Sequence, residues 1–412
     1  MSEIIKILEQ KISAKRDVIA DFFAKKFAEF PPLFYNSVDL RHSGFKIAPV
    51  DTNCFPAGFN NLSAFSEKNA EKIADDFFNR NFPDAKKILI IPENHTRNFR
   101  YLKNVINLQK ILGAKREVIV GTLIAELKEK TALDLENRDL LTIHPLIKKS
   151  DKIETIDGFL PDVILLNNDL TDGIPEILQN ISTPIAPSPN MGWHRRAKST
   201  HFTIYNKLAE ELAQILEIDP WLISSMHSAC NNVNFKEREG IERLAKNVEE
   251  LLQNLQKKYQ ENGIDEQPYC YIKADNGTYG LAVWPVFSAT EVLEINKKER
   301  NKMNAVKGAV QTTHVIIQEG IKTLDKIDEK IAEPMIYMIN AEVAGNLFRV
   351  NEARDEKISL NAAGASFFDL ENLTENQIKL GIEKNKITEV YSVIARLAAL
   401  ASSIENSQIK ND

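Results

Sequence analysis

The sequence predicts an α/β fold with a largely parallel sheet, spread over two domains. Three short apolar runs bounded by charged or turn residues, at 86–92, 116–123 and 161–167, have the composition of buried strands. Helical patterns near 100–112 and 122–130 lie between these strands, and such alternation is typical of parallel sheets. A chain of 412 residues is also long for a single domain, so two are expected.

The remaining elements place the domain boundary near residue 265. The first thirty residues predict an amphipathic helix, and residues 203–217 and 236–259 predict two more. Residues 261–268 are the best candidate linker, because a glycine suited to end a helix is followed by a proline. We therefore expect an N-terminal α/β substrate domain over 1–265 and a second domain over 266–412. Strands of the second domain are predicted near 269–274, 281–287, 313–318 and 334–340, before a final helix around 386–404.

The composition is that of an ordinary soluble protein with a sizeable core, at 43% hydrophobic and 27% charged residues. A net charge of −6 argues against a general nucleic-acid surface. Nothing resembles a signal peptide and no apolar run approaches membrane-spanning length, so no membrane partner is expected. The three cysteines lack zinc-site spacing and are too few for a disulfide framework, which favours the cytoplasm. A homo-oligomer is left open.

A lysine and a glycine-containing loop stand near the start of the second domain, in the segment Tyr271–Gly280. Glycine lets a backbone approach phosphate oxygens closely, successive amide groups form an anion-binding turn, and a neighbouring lysine adds a positive charge. Taken alone, the pattern is more often a plain hairpin. The residues predicted to hold the phosphates of a nucleotide are Lys273, Asn276, Gly277, Thr278, Tyr279 and Gly280.

Three polar segments follow this loop in order. They contain Gln318, Glu319 and Gly320 at the end of a predicted strand, Glu342 and Arg349 around a glycine turn, and Asn361 in a small-residue stretch. The first suits an interdomain hinge that pairs with a purine edge, although a strand entering a plain turn is the commoner meaning. The order of the segments resembles the nucleotide half of an ATP-grasp ligase. The phosphate loop GxxxxGK[ST] and the fingerprint GxGxxG are both absent, so a P-loop NTPase or a Rossmann dehydrogenase matches poorly.

A candidate metal pair lies far upstream, at Asp51 and Asn53. On an extended strand these two side chains point to the same face. Carboxylate and amide oxygens side by side are hard ligands suited to Mg²⁺. An Asx-type turn capped by Asn53 before Pro56 is an equally weighted alternative. The pair looks like the acidic-x-Asn pair of many ATP-grasp enzymes, moved by circular permutation as in eukaryotic-type glutathione synthetases.

A basic segment and two polar strand ends are candidates for substrate binding. The segment Asn190–Phe202 holds three fixed cations directly before a helix, and arginine clamps carboxylates or phosphates through paired N–H groups. A basic surface loop is the equally weighted alternative. His95 and Asn168 lie where predicted strands end, the edge at which open α/β sheets bind ligands. A structural histidine and a turn cap are the plain alternatives, and no Ser or Cys is placed to make His95 the base of a triad.

Together these motifs resemble one family, the proteobacterial glutamate–cysteine ligases first recognised in an iron-oxidising bacterium. The resemblance runs from about Asp39 to the final helix. It rests on Asp39-Leu40-Arg41, Phe45-Lys46, Asp51-Thr52-Asn53, Pro56 to Asn61, Asn94 to Asn98, Leu166 to Leu170, Lys273-Ala274-Asp275, Gly277 to Gly280, Gln318-Glu319-Gly320 and Leu360-Asn361-Ala362. Three positions depart from the expected pattern: Ala282 replaces a loop glycine, Asn346 one of a glycine pair and Ala363 a proline. None of these departures removes a proposed catalytic charge.

The resemblance implies a ligase that joins the γ-carboxylate of glutamate to the amine of cysteine through a γ-glutamyl phosphate, with ATP converted to ADP and phosphate. It implies Mg²⁺, small-molecule substrates and a permuted ATP-grasp fold with a Rossmann-like N-terminal domain. The implied catalytic residues are Lys273, Arg349 and Arg195, and the implied metal ligands are Asp51, Asn53, Asp275 and Glu342. The implied substrate-binding residues are Arg41, Asn60, Asn61, His95, Arg97, Asn168, Arg195 and Arg196. Another ATP-grasp amino-acid ligase, such as a glutathione synthetase, and a non-catalytic nucleotide-binding protein remain the alternatives.

Overall fold

The structure is a computed structural model that describes residues 3–135, 139–277, 282–303, 313–378 and 383–411. Its helices are α1 (Glu3–Ala14), α2 (Arg16–Glu29), α3 (Ala64–Asn81), α4 (Phe99–Gly113), α5 (Lys198–Leu216), α6 (Ile241–Glu261), α7 (Ala289–Leu293), α8 (Lys297–Met303) and α9 (Lys384–Asn411). Its strands are β1 (Tyr35–His42), β2 (Ile47–Asn53), β3 (Lys87–Pro92), β4 (Glu117–Thr122), β5 (Thr131–Asp134), β6 (Leu140–Lys149), β7 (Lys152–Thr155), β8 (Val163–Asn167), β9 (Ile185–Ala186), β10 (His227–Asn231), β11 (Cys270–Ala274), β12 (Val283–Val286), β13 (His314–Glu319), β14 (Lys326–Ile327), β15 (Lys330–Ile339), β16 (Glu342–Val350) and β17 (Ser366–Asp369).

The predicted parallel sheet is present and has the strand order β5-β6-β4-β3-β8-β9. The pairs β6–β4, β4–β3, β3–β8 and β8–β9 are parallel, whereas β5 and β7 run antiparallel to β6. Strands β3 and β8 are buried almost throughout, which explains why both read as continuous apolar runs. The parallel pairing of β3 with β4 and β8 therefore confirms the arrangement predicted from the three apolar runs.

Two local predictions in this part were wrong. Residues 122–130 form turns rather than a helix, because the hydroxyl of Thr122 accepts from the N–H of Ile124 and the chain turns back into β5. The N-terminal pattern is two helices, since α1 ends at Ala14 and α2 begins at Arg16. Both helices nevertheless bury apolar faces in the core, as the helical spacing predicts.

A second sheet joins the two ends of the chain. Its order is β17-β16-β15-β1-β2, and every pair in it is antiparallel. Asp39 of β1 lies opposite Asp51 of β2 on one side and Met335 of β15 on the other. Glu333, two residues before Met335, lies opposite Arg349 of β16. Because side chains alternate along a strand, this register places the four charged side chains on one face.

The third sheet has the order β10-β13-β11-β12 and packs against α6 around its own apolar core. Strand β10 and helix α6 precede residue 265, whereas β11 to β13 follow it, so residues on both sides share this sheet. The division of the chain at residue 265 stays a prediction. The described part of the third sheet brings β11, which carries Lys273, towards the charged face of the second sheet.

The final helix is part of the core. The expectation that no apolar run approaches membrane-spanning length was wrong: within the described residues one helical stretch, Lys384–Ile409, is long and apolar enough to cross a membrane by length and composition, with a mean hydropathy of 1.4 in its most apolar window. Its most apolar window is 72% buried, packed with α1, α5 and the second sheet. A mostly buried stretch of this kind is typical of the core helix of a soluble protein.

Candidate active site

A pocket opens between the second and third sheets and is lined by charged residues from segments far apart in the sequence. Its empty volume is about 870 Å³, part of which is open to solvent. Residues of β1, β2, β15 and β16 form one wall, and residues of β11 and β12 form the opposite wall. The lining comprises Asp39, Arg41, Val50, Asp51, Asn53, Trp193, Lys198, Tyr271, Lys273, Ala274, Gly277, Val283, Glu333, Arg349, Ser359 and Asn361.

Lys273 of β11 reaches across the pocket to β2. Its ammonium group donates to the carbonyl of Val50 at 3.0 Å and to the side-chain oxygen of Gln318 at 2.8 Å. Burial lowers the pKa of Lys273 to about 8, although the charge of Asp51 opposes this effect. The ammonium group of Lys273 is therefore mostly charged below pH 8 and loses its charge as the pH rises above that value.

Asp51 and Asn53 do face the pocket together, as strand periodicity predicts. Asp51 forms an ion pair with Lys198. Burial favours the neutral acid, but Lys198 and Lys273 outweigh it and hold the pKa of Asp51 at about 2. The side-chain oxygen of Asn53 also accepts from the N–H of Phe55 at 2.8 Å, which is the Asx turn of the alternative interpretation. The turn and the pocket position are thus compatible.

Arg349 completes the charged face with two carboxylates. One of its terminal nitrogens donates to Asp39 at 2.9 Å and to Glu333 at 2.5 Å. Its Nε atom is buried and has no hydrogen-bond partner within the described parts of the chain. Burial and the neighbouring carboxylates raise the pKa of Asp39 despite Arg349. For Glu333, the two arginines outweigh burial and lower the pKa. Arg349 nevertheless lines the pocket beside Asp39 and Glu333.

Arg41 lines the pocket but is already fully engaged by the protein. Its Nε and one terminal nitrogen donate to Glu333 at 3.1 and 3.0 Å. Its terminal nitrogens also donate to the carbonyls of Ile321, Glu356 and Ile358 at 3.0, 3.2 and 2.7 Å. A guanidinium group has five N–H donors, and these bonds occupy them. These bonds fix the 356–358 loop, and the substrate role of Arg41 stays a prediction.

Gly277 meets the ring of Trp193 at the edge of the pocket. A Cβ atom added to Gly277 would lie 2.1 Å from the ring, so only glycine permits this approach. Asn276 is exposed, and its amide donates to the carbonyl of Trp193 at 3.2 Å. Thr278, Tyr279 and Gly280 lie outside the described residues. Ala282, which departs from the expected glycine pattern, has a φ of 48°, a left-handed conformation that glycine adopts more readily.

The predicted hinge segment lies behind the pocket. Gln318 is fully buried and accepts from Lys273, so it positions that lysine from outside the lining. Glu319 is paired with Lys46 at 2.8 Å and accepts from Trp221 and from the N–H of Met226. Gly320 packs against the ring of Tyr269, where a Cβ would lie 2.4 Å away. Glu319 is therefore occupied by protein groups.

Two predicted metal ligands do not join Asp51 and Asn53. Asp275 accepts from the N–H and hydroxyl of Ser199 at 2.7 and 2.6 Å, so it caps the start of α5. Glu342 lies in a separate groove with Arg396, beside α2. Their distance from the pair follows from chain geometry that single residues do not reveal: Glu342 stands at the opposite end of β16 from Arg349.

The basic segment divides into residues with different surroundings. Arg195 is exposed and is not part of the pocket lining. Arg196 is buried and bonded to Glu405, Thr52 and His201, which leaves it unsuited to clamp a substrate directly. Lys198, to which the sequence assigned no role, lines the pocket, and its Nζ atom lies 4.6 Å from the ring centroid of Trp193.

The other predicted substrate residues cluster at the carboxyl edge of the parallel sheet, outside the pocket lining. His95 packs edge-on against Tyr101, and Arg97 is exposed. Asn168 donates to the carbonyl of Pro92 at 3.2 Å and accepts from Leu170, so it caps a turn. Asn60 and Asn61 are partly exposed and bond to each other. Their substrate roles stay predictions.

Sequence reasoning missed several groups in the lining. Asp39, Trp193, Lys198 and Ser359 stood in or near the quoted motifs without an assigned role. Glu333 was not noticed at all. A signal for it was present, because an acid beside an apolar run in a predicted strand needs a buried partner.

Comparisons with known proteins identify relatives of this chain. The family model GshA, glutamate-cysteine ligase, matches residues 9–406. A comparison with curated protein sequences gave no significant match. Among solved structures, a crystal structure at 1.90 Å resolution of a Methylobacillus flagellatus KT protein, provisionally assigned as a gamma-glutamylcysteine synthetase, is 37% identical. That alignment covers 100% of this chain and 97% of that chain, with a TM-score of 0.90.

Two further solved structures are much less similar. D-alanyl-alanine synthetase A from Vibrio cholerae O1 biovar eltor str. N16961 is 13% identical over 76% of this chain and 81% of that chain, with a TM-score of 0.36. A glutathione synthetase-like effector from Globodera pallida is 10% identical over 89% of this chain and 80% of that chain, with a TM-score of 0.38. The family match over residues 9–406 confirms the resemblance read from the sequence: the chain belongs to the glutamate–cysteine ligase family.

Proposed function

We propose that the pocket between the second and third sheets is the site at which this chain performs the reaction of its family. The chain is an ATP-dependent ligase that forms γ-glutamylcysteine from glutamate and cysteine. The observation that carries the assignment of the site is the convergence of Asp51, Lys273 and Arg349 on one pocket from three distant segments. Two of these groups are cations and one is a carboxylate held ionised.

The chemistry requires groups of this kind. A carboxylate is a poor electrophile, so the γ-carboxylate of glutamate first takes the terminal phosphoryl group of ATP, and ADP leaves. The amine of cysteine then attacks the acyl carbon of the γ-glutamyl phosphate, and phosphate leaves with the bond electrons. The protein contributes positioning and charge neutralisation in both steps.

The cations of the pocket have separate roles in this proposal. Lys273, anchored to β2 and to Gln318, holds phosphate oxygens of ATP. Arg349, which lines the pocket, offsets the charge of the phosphoryl group in transfer, where negative charge is spread over three oxygens. Gly277 lets the backbone before residue 278 approach the same phosphates above Trp193. Arg195, predicted as a third catalytic cation, is not needed for these steps.

The pocket also fits Mg²⁺. The described residues contain no group of three or more His, Cys, Asp or Glu side chains able to hold a metal by themselves. Mg²⁺ is commonly bound by one or two carboxylates together with substrate phosphates, and Asp51 with Asn53 or Asp39 supplies that incomplete set. When bound there, the ion neutralises phosphate charge. The chain's contribution is to keep Asp51 ionised through Lys198 and Lys273.

The finer description of the fold is also a proposal. Strands β1 and β2, which carry the metal pair, lie beside β15 and β16 near the other end of the chain. A circular permutation of an ATP-grasp fold, with a Rossmann-like N-terminal domain, accounts for this neighbourhood. The three buried free cysteines fit a cytoplasmic protein, and a homo-oligomer is left to measurement.

A product assay tests the proposed function. Purified protein is incubated with ATP, Mg²⁺ and glutamate, with and without cysteine, and the products are identified by mass. γ-Glutamylcysteine that appears only with both amino acids, and is lost in Asp51→Ala and Arg349→Lys, supports the reaction and the site together. Phosphate release driven by a different amine or peptide would favour another ligase of this fold. Unchanged turnover in both variants would place the reaction elsewhere.

A further inference from the structure

A buried ion pair lies behind the pocket and has no part in the chemistry described so far. The Nε atom of Arg196 lies 2.9 and 3.0 Å from the two carboxylate oxygens of Glu405. The two side chains are only 1% and 2% exposed. Neither residue lines the pocket. Because two charges are costly to remove from water, such a pair is weak evidence for a stabilising role.

The first thing that Arg196 holds is the strand of the metal pair. One of its terminal nitrogens donates to the backbone carbonyl of Thr52 at 2.7 Å. Thr52 stands directly between Asp51 and Asn53, so this bond fixes the peptide from which both side chains project. The other terminal nitrogen lies 3.1 Å from Nδ1 of His201.

The second thing that Arg196 contacts is the ring of Trp193, which packs against Gly277. The guanidinium carbon of Arg196 lies 4.8 Å from the ring centroid of Trp193, within the range of a cation–π contact. Trp193 in turn packs against Gly277 so closely that no side chain fits between them. The buried cation of Arg196 thus contacts both the strand of Asp51 and the Trp193 ring that packs against Gly277.

We propose that Arg196 and Glu405 are positioning residues for the metal–nucleotide complex. Glu405, from the last helix, fixes the plane of the Arg196 guanidinium. Arg196 then sets the separation between the Asp51–Asn53 pair on one side of the pocket and the Trp193–Gly277 contact on the other. The inference rests on the proposed function, because it assumes that Mg²⁺ and the phosphates of ATP occupy this pocket.

The decisive variant removes both charges together. In Arg196→Met with Glu405→Leu no buried charge is left uncompensated, but the Thr52 carbonyl and Nδ1 of His201 lose a donor, so the variant is measured at a temperature at which it is fully folded. The dissociation constant of the Mg²⁺ complex of adenylyl-imidodiphosphate, measured by isothermal titration, is expected to rise at least about tenfold, as when groups that orient metal ligands are lost. Should the double variant not fold, Glu405→Gln is measured at a temperature at which it is fully folded, with the same expectation.

Two further variants make the result specific. Tyr391→Phe removes a buried hydrogen bond to Asp325, 2.7 Å long, from the same helix without touching the pocket, and is expected to bind the complex like wild type. Equal weakening in Tyr391→Phe, or wild-type binding by the double variant, would overturn the positioning role. Asp51→Asn separates the two proposals. If it weakens binding and the double variant does not, only the positioning role fails; if Asp51→Asn itself binds normally, the metal pair of the proposed function fails.

Discussion

Arg41 and Arg349 bind the same carboxylate, Glu333, yet the regions around them are built differently. Around Arg41 every N–H donor meets a protein acceptor, and three of these acceptors are the carbonyls of Ile321, Glu356 and Ile358. Around Arg349 the Nε donor is buried and has no partner among the described residues, and the neighbouring Asp39 and Asp51 line the pocket. The two arginine side chains are similarly buried, at 3% and 5% exposed, so burial does not distinguish a structural arginine from one that binds substrate. The difference lies in which donors the protein leaves unused.

Asp51→Ala is the strongest test of the open region. We expect turnover to fall by about 10²-fold or more, because the carboxylate acts on charge that develops at the phosphates. The free energy of unfolding is expected to change by less than about 1 kcal/mol, since the Asp51 side chain is 41% exposed to the pocket and its ion pair with Lys198 is screened. Steady-state kinetics and urea unfolding measure the two quantities. Glu389→Ala, which removes an exposed ion pair with Arg16, is the matched control; equal turnover in both variants would contradict the role of Asp51.

The pair Arg349→Lys and Arg41→Lys tests the comparison directly. We expect Arg349→Lys to lower turnover by about 10–100-fold, because lysine lacks the planar guanidinium group proposed to offset charge on the transferring phosphoryl group. In Arg41→Lys, carbonyls that accept from the guanidinium lose their donor, so the free energy of unfolding should fall by about 2–4 kcal/mol while the folded fraction keeps turnover within about threefold. Thermal unfolding and active-site-normalised kinetics distinguish the two. A larger loss of turnover in Arg41→Lys than in Arg349→Lys would contradict the distinction between the two arginines.

The sequence predicted the buried strands of this protein better than the partners of the charged residues in and near the pocket. The runs that became β3, β4 and β8 were visible because buried parallel strands are continuously apolar. Asp51 and Asn53 were found from strand periodicity. Glu342 and Asp275 lie outside the pocket lining, because spacing along a chain does not show which end of a hairpin a residue occupies or which helix it caps. Arg41 and Arg196 show the same limit, since partners in distant segments decide what an arginine does.

Gly277→Ala tests whether nucleotide binding depends on the close contact between the backbone of Gly277 and the ring of Trp193. The added Cβ would lie 2.1–2.4 Å from atoms of the Trp193 ring, so the loop or the ring must move. Overpacking of this kind costs about 1–3 kcal/mol, and we expect it to appear as a KM for ATP raised about tenfold with KM for glutamate unchanged. Gly113→Ala, a glycine with nothing within 4 Å, is the control for the substitution itself. A KM for ATP that does not change would separate the Trp193 contact from nucleotide binding.

The smallest effect concerns pH and separates two buried lysines. Lys273 and Lys46 both have a pKa lowered to about 8 by burial, but only Lys273 lines the pocket. Because the unfolded chain binds more protons than the folded one between pH 8 and the ordinary lysine pKa, both groups make stability rise with pH in that window. Nucleotide binding should change in the opposite direction, since Lys273 loses its charge there: the KM for ATP is expected to rise about fivefold between pH 7 and pH 8.7. Lys273→Arg keeps its charge and should flatten this rise, whereas Lys46→Arg should not; a rise that persists in Lys273→Arg would assign the titration to another group.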